Sequence, residues 1–106
     1  MKRSMILGLL VAPALVVSAM SAELVITQKD KQFSQEAVAI KAGDKMRMVN
    51  DDSVTHNVVV KDASGASRPG ITQKPGEQSE IGFDNAGDYE VRCLIHPKMK
   101  LSVKVE

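Results

Sequence analysis

Apolar and polar residues alternate in short stretches along most of the chain, and the period is that of strands. Leu24-Val25-Ile26-Thr27 is strand-like in composition. Val38 and Ile40 alternate with Ala37, Ala39 and Lys41, which predicts a half-buried strand. Gly43-Asp44 turns the chain, after which Met46, Met48 and Asn50 alternate with Arg47 and Val49. Asn57 to Lys61, with Val58-Val59-Val60 at its centre, reads as a buried strand. Asp62 to Gly76 contains Gly65, Pro69, Gly70, Pro75 and Gly76 and predicts a long surface loop. Ser79 to Phe83 is a short strand ending at the turn Asn85-Ala86-Gly87-Asp88. Tyr89, Val91 and Cys93 alternate with Glu90 and Arg92, and Leu101, Val103 and Val105 alternate with Ser102 and Lys104. No segment after residue 22 sustains a helical period. Short strands separated by turn residues predict an all-β sandwich or barrel.

The first 22 residues break this pattern. Lys2 and Arg3 precede the apolar run Ile6 to Val17, and small residues follow at Ser18, Ala19, Ser21 and Ala22. That is the pattern of a cleavable signal peptide, with cleavage after Ala19, Ser21 or Ala22. The run is short for a membrane span and has no charged stop, so no stable membrane anchor is expected. Residues 1–22 are read as the signal peptide and 23–106 as one small domain. Without Lys2 and Arg3 the chain carries 12 basic and 13 acidic side chains. A balance so close to neutral gives no support for a nucleic-acid partner, which calls for a basic patch.

Export changes the meaning of the cysteine count. The chain has one cysteine, so no disulfide can form within it. A lone exported thiol calls for a reason: pairing with another chain, a reactive role or a metal. Cys93, His96 and Met99 stand at three-residue intervals, and the one other histidine, His56, opens the Asn57–Lys61 strand. Taken singly, each has an ordinary role: a buried thiol, a strand-end histidine, a core gap-filler. Together they supply two nitrogens, a thiolate and a weak thioether, the donor set of an electron-transfer copper site. Zinc is the competing metal, but thioether is not among its usual ligands. A catalytic Cys–His pair is the other reading, yet no substrate-binding motif accompanies it, so the chain is not read as an enzyme. Cys93 ends one strand and Met99 just precedes the next, so sheet hydrogen bonds tie the loop between them at both ends.

These residues sit in stretches that resemble the cupredoxins, the small blue copper proteins of the amicyanin, pseudoazurin and plastocyanin group. The stretches are Lys41-Ala42-Gly43-Asp44, Val49 to Val59 with His56-Asn57 inside it, Pro75-Gly76-Glu77, and Gly87 to Met99. The gap from His96 to Met99, with Pro97 after the histidine, is most similar to that of amicyanin. The resemblance implies a Greek-key β-sandwich and a one-electron carrier. It implies His56, Cys93 and His96 as equatorial ligands and Met99 as the axial one. It also implies that Asn57 donates its backbone N–H to the thiolate and that the edge of His96 passes the electron. Ile95, Pro97 and Lys98 border that edge and complete the expected docking face. The partners implied are redox proteins as electron donor and acceptor, an amine dehydrogenase and a c-type cytochrome being candidates for a monomeric carrier in the periplasm. Copper delivery on the same fold is the alternative.

Two departures from the family pattern stand out. Leu94 and Ile95 replace a hydroxyl residue and a proline, and Met48 stands where a tryptophan is common. Proline has no N–H. Ile95 therefore restores a backbone donor two residues after Cys93 and is expected to be a second donor to the sulfur.

Overall fold

A computed structural model describes residues 22–106, so the signal-peptide reading of 1–22 lies almost wholly outside the described residues. Among the described residues nine strands follow one another: β1 Glu23–Lys29, β2 Gln32–Phe33, β3 Ala37–Ile40, β4 Asp44–Asn50, β5 His56–Asp62, β6 Ile71–Gln73, β7 Gln78–Phe83, β8 Gly87–Cys93 and β9 Lys100–Val105. They form a four-stranded sheet in the order β2-β1-β4-β7 and a five-stranded sheet in the order β3-β9-β8-β5-β6. The chain crosses repeatedly between the sheets, and β1·β4 and β3·β9 pair in parallel while the other neighbours are antiparallel. Among the described residues there is no helix, and so none long and apolar enough to cross a membrane.

Period-2 alternation places one set of side chains between the sheets. Ile26, Met46, Met48, Ile81 and Phe83 face inward from the first sheet. Val58, Val60, Val91, Leu101, Val103 and Val105 face inward from the second. Met46 and Met48 are fully buried, so flexible thioethers fill part of the core. The outer face of the first sheet carries Arg47 paired with Glu23 and Glu80. Such exposed pairs contribute little, about 0–1 kcal/mol each.

Two strands differ from the sequence reading. β6 lies within the stretch 62–76 expected to be surface loop. It pairs His56 with Gln73, Asn57 with Thr72 and Val58 with Ile71. It is only three residues long, and beside Ile71, which packs against the core, its inward face carries the buried polar Gln73, so little alternation marks it. β2 forms a hairpin with β1 across the two-residue loop Asp30-Lys31, which takes φ of 53° and 58°. Two consecutive positive φ values are those of a type I′ turn, which favours Asn, Asp or Gly and then Gly. Asp30 suits the first position, but Lys31 stands where glycine is usual.

Candidate metal centre

His56 opens β5 where that strand lies between β6 and β8. Val58 pairs with Cys93, the last residue of β8, which brings the histidine and the cysteine to the same end of the sandwich. From Cys93 the chain turns back at once into β9. The Met99 N–H bonds the His96 carbonyl at 2.9 Å, and the Cys93 N–H reaches the Met99 carbonyl at 3.4 Å. The short loop so closed swings the His96 ring over the sulfur. Nδ1 of His56 and Nδ1 of His96 are 3.2 Å apart, and they lie 3.5 Å and 3.7 Å from Cys93 Sγ. The rings meet edge to face, with centroids 4.9 Å apart.

Those spacings suit one ion. Bonds of about 2.0 Å to nitrogen and about 2.3 Å to sulfur, opening at roughly 105–120°, place two nitrogens about 3.2–3.5 Å apart and nitrogen from sulfur about 3.4–3.7 Å. The donor tips of His56, Cys93 and His96 all lie within 4.8 Å of one another. A small closed set of two imidazoles and one thiol, in a buried rim, is soft enough for copper. Met99 is buried directly after the loop, 2% exposed.

The protonation of His56 follows from its other nitrogen. Nε2 lies 3.0 Å from Asp52 Oδ2. The Asp52 carboxyl is lowered to about 2, chiefly by the Lys31 backbone N–H and further by hydrogen bonds from His56 and Ser53. An ionised carboxylate can only accept, so Nε2–H donates to Asp52 and Nδ1 is the nitrogen turned toward the site. The Lys31 N–H that holds Asp52, at 2.8 Å, comes from the left-handed Asp30-Lys31 turn. Behind it lies a buried polar cluster. Gln28 Nε2 donates to Gln73 Oε1, Gln73 Nε2 to the Met48 carbonyl, and Asn50 Nδ2 to the Val54 and Gln73 carbonyls. Asn50 Oδ1 in turn accepts from the Asp52 N–H. Bridging both sheets, this network fixes the loop that carries Asp52.

On the sulfur side, the Asn57 N–H points at Cys93 Sγ from 3.5 Å, and the Asn57 carbonyl accepts the Leu94 N–H at 2.9 Å. Asn57 thereby joins the two stretches that carry His56 and Cys93. The expectation for Ile95 is corrected: its N–H makes no hydrogen bond to the sulfur, and its side chain is 51% exposed. The turn that places the His96 carbonyl on the Met99 N–H carries Ile95 outward instead. Leu94 is 64% exposed, and Pro97 and Lys98 are exposed as well, so an apolar rim surrounds the half-buried His96.

Sequence reasoning named the three converging donors but not Asp52, Lys31, Asn50 or Gln73. Polar residues four apart carry meaning on a helix; Asp52 and His56, joined by a bend, offer no such signal.

The two-sheet fold and the convergent thiol and imidazoles define the class: a cupredoxin. The profile of the copper binding proteins of the plastocyanin/azurin family matches residues 20–106, and the chain belongs to that family. Among its relatives, amicyanin-alpha of Methylorubrum extorquens is 31% identical over 77 residues, covering 71% of this chain and 65% of that protein. Plastocyanin of Scenedesmus fuscus is 33% identical over 72 residues, covering 60% and 74%. The chain thus spans slightly under two thirds of that amicyanin's length. The crystal structure of amicyanin from Paracoccus versutus superposes with a TM-score of 0.71 at 29% identity, over 85% of each chain. Copper is the cofactor of this family, whose amicyanins and plastocyanins are electron carriers rather than enzymes.

Proposed function

We propose that this chain is an exported blue copper protein that carries single electrons between larger redox proteins. The observation that carries the reading is the meeting of His56 Nδ1, His96 Nδ1 and Cys93 Sγ at 3.2–3.7 Å beneath an exposed apolar rim. His56, Cys93 and His96 would hold the copper, with Met99, buried just after the loop, as a weaker fourth donor. Export is supported by the pattern of residues 1–22.

Bound copper supplies a one-electron couple. The rest is the work of the chain. Asp52 holds the His56 ring in the tautomer that binds, and the Asn57 N–H draws electron density from the thiolate. Sheet ladders on both sides keep the donors from spreading when the charge of the centre changes, which keeps the reorganisation of electron exchange small. His96 reaches the surface among Leu94, Ile95 and Pro97, where a partner's apolar face excludes water. Lys98 and Lys100 stand at the edge, where charge acts mainly on the rate of encounter. A redox encounter needs only a small interface, which this rim provides. The amicyanin-like spacing of His96 and Met99 favours an amine dehydrogenase as donor and a c-type cytochrome as acceptor.

The test is kinetic. Stopped-flow mixing of the reduced, copper-loaded protein with an oxidised c-type cytochrome is expected to give electron transfer that slows when Ile95 is replaced by Glu. Copper passed to an acceptor chelating protein, with no electron exchange on any redox partner, would favour the delivery reading instead.

A further inference from the structure

One side-chain arrangement beside the centre has no part in the ligand set. Asn57 directs both its backbone groups toward β8: its N–H goes to Cys93 Sγ and its carbonyl receives Leu94 N–H. Toward β6, where Asn57 pairs with Thr72, neither backbone group is then available. This is the position in an antiparallel ladder where paired side chains come closest. Here the Asn57 carboxamide makes the tie, with Nδ2 donating to Thr72 Oγ1 at 3.0 Å. Its Oδ1 is buried without a hydrogen-bond partner. Leaving a buried carbonyl oxygen unpaired is costly, so something must hold it there. The oxygen lies against Gly70, and a Cβ at that position would overlap Oδ1. Gly70 has no positive φ, so backbone conformation does not call for glycine; the carboxamide does. Leu94, across the strand, has no polar side chain to offer in exchange.

We propose that Gly70 and Thr72 are positioning residues of the copper centre: by clamping the Asn57 carboxamide they hold the Asn57 N–H on the Cys93 thiolate and so raise the reduction potential. The inference rests on the copper reading above. A hydrogen bond to the thiolate weakens its donation and disfavours Cu(II), and hydrogen bonding around this sulfur is a lever on the potential. Loosening the clamp therefore lowers the potential.

The test uses Thr72→Val, which removes the acceptor at nearly constant shape, with Thr72→Ser as the conservative rescue and Gly70→Ala as the second arm. In metal-free protein, amide hydrogen exchange at Asn57 is expected to accelerate in Thr72→Val and Gly70→Ala and to stay near wild type in Thr72→Ser. In copper-loaded protein, voltammetry is expected to show the Cu(II)/Cu(I) equilibrium shifted about fivefold toward Cu(II) in the first two. At about 59 mV per tenfold step for one electron, that is roughly 40 mV downward. Thr72→Ser returns the potential to the wild-type value. Wild-type exchange and potential in Thr72→Val would overturn the clamp, as would an equal fall in Thr72→Ser. Absence of a coloured copper complex in the wild type would instead overturn the copper reading, independently of these variants.

Discussion

His56 and His96 present the same nitrogen to the same point and are held in opposite ways. His56 is wholly buried, and its far nitrogen is bonded to Asp52, which hangs on Lys31 and on the Asn50–Gln73–Gln28 network between the sheets. His96 stands in a loop of exposed residues, and its far nitrogen has no protein partner among the described residues. One histidine belongs to the scaffold and the other to the surface. A carrier needs both: a rigid anchor keeps the site's geometry through each redox cycle, and an accessible ring lets the electron leave.

The largest effects should come from removing each ring. His96→Gly opens a gap at the surface, and added imidazole is expected to enter it and restore the visible band. His56→Gly leaves a gap beneath a closed rim, and the same imidazole is expected to restore little. Equal rescue of both would erase the proposed difference between them. Next in size is Met99→Leu, which is expected to keep copper and colour while raising the potential. If the lost axial donor favours Cu(I) by about 1 kcal/mol, the rise is roughly 40 mV. Loss of copper from that variant would contradict the axial assignment.

Asp52 sharpens the anchor side. Its carboxyl is lowered to about 2 from 3.8, so it contributes stability above the unfolded value and loses it as pH falls through about 2. Asp52→Asn should therefore be less stable than wild type at pH 7, by about 1 kcal/mol, and the gap should close toward pH 2. Denaturant titration of the metal-free proteins at both pH values measures it; a gap independent of pH would remove the carboxylate from the account. The smallest effect lies on the surface side. Reversing Lys98 and Lys100 to Glu should change the association rate with a charged redox partner about 3–10-fold at low salt and leave the potential nearly fixed. A shifted potential would mean those lysines act on the centre itself.

What the sequence made legible follows the same division. The inward positions of β4, β8 and β9 could be read because Met46, Met48, Val91, Leu101 and Val103 alternate with polar neighbours. The donor set could be read because the chain holds one cysteine and two histidines. The anchor could not. Its parts are Gln28, Asn50, Asp52 and Gln73, polar residues that look like surface until the two sheets close over them. β6 was hidden because it is three residues long and pairs Ile71 on its inward face with the polar Gln73. The Asp30-Lys31 turn gave little sign because Lys31 stands where glycine is usual, and a contact from Asp52, far along the chain, supports its left-handed backbone. For Ile95, spacing alone placed a donor near the sulfur; the direction of its N–H depends on how the loop closes on Met99, which spacing does not contain.

The central claim is that Cys93 Sγ and the two Nδ1 atoms hold copper as a thiolate-bound centre. The visible spectrum of the copper-loaded wild type beside that of Cys93→Ser tests it most directly. An intense thiolate-to-Cu(II) band, blue or green to the eye, is expected in the wild type and none in the variant. A colourless wild type with stoichiometric copper bound, or a band that survives in Cys93→Ser, would contradict it.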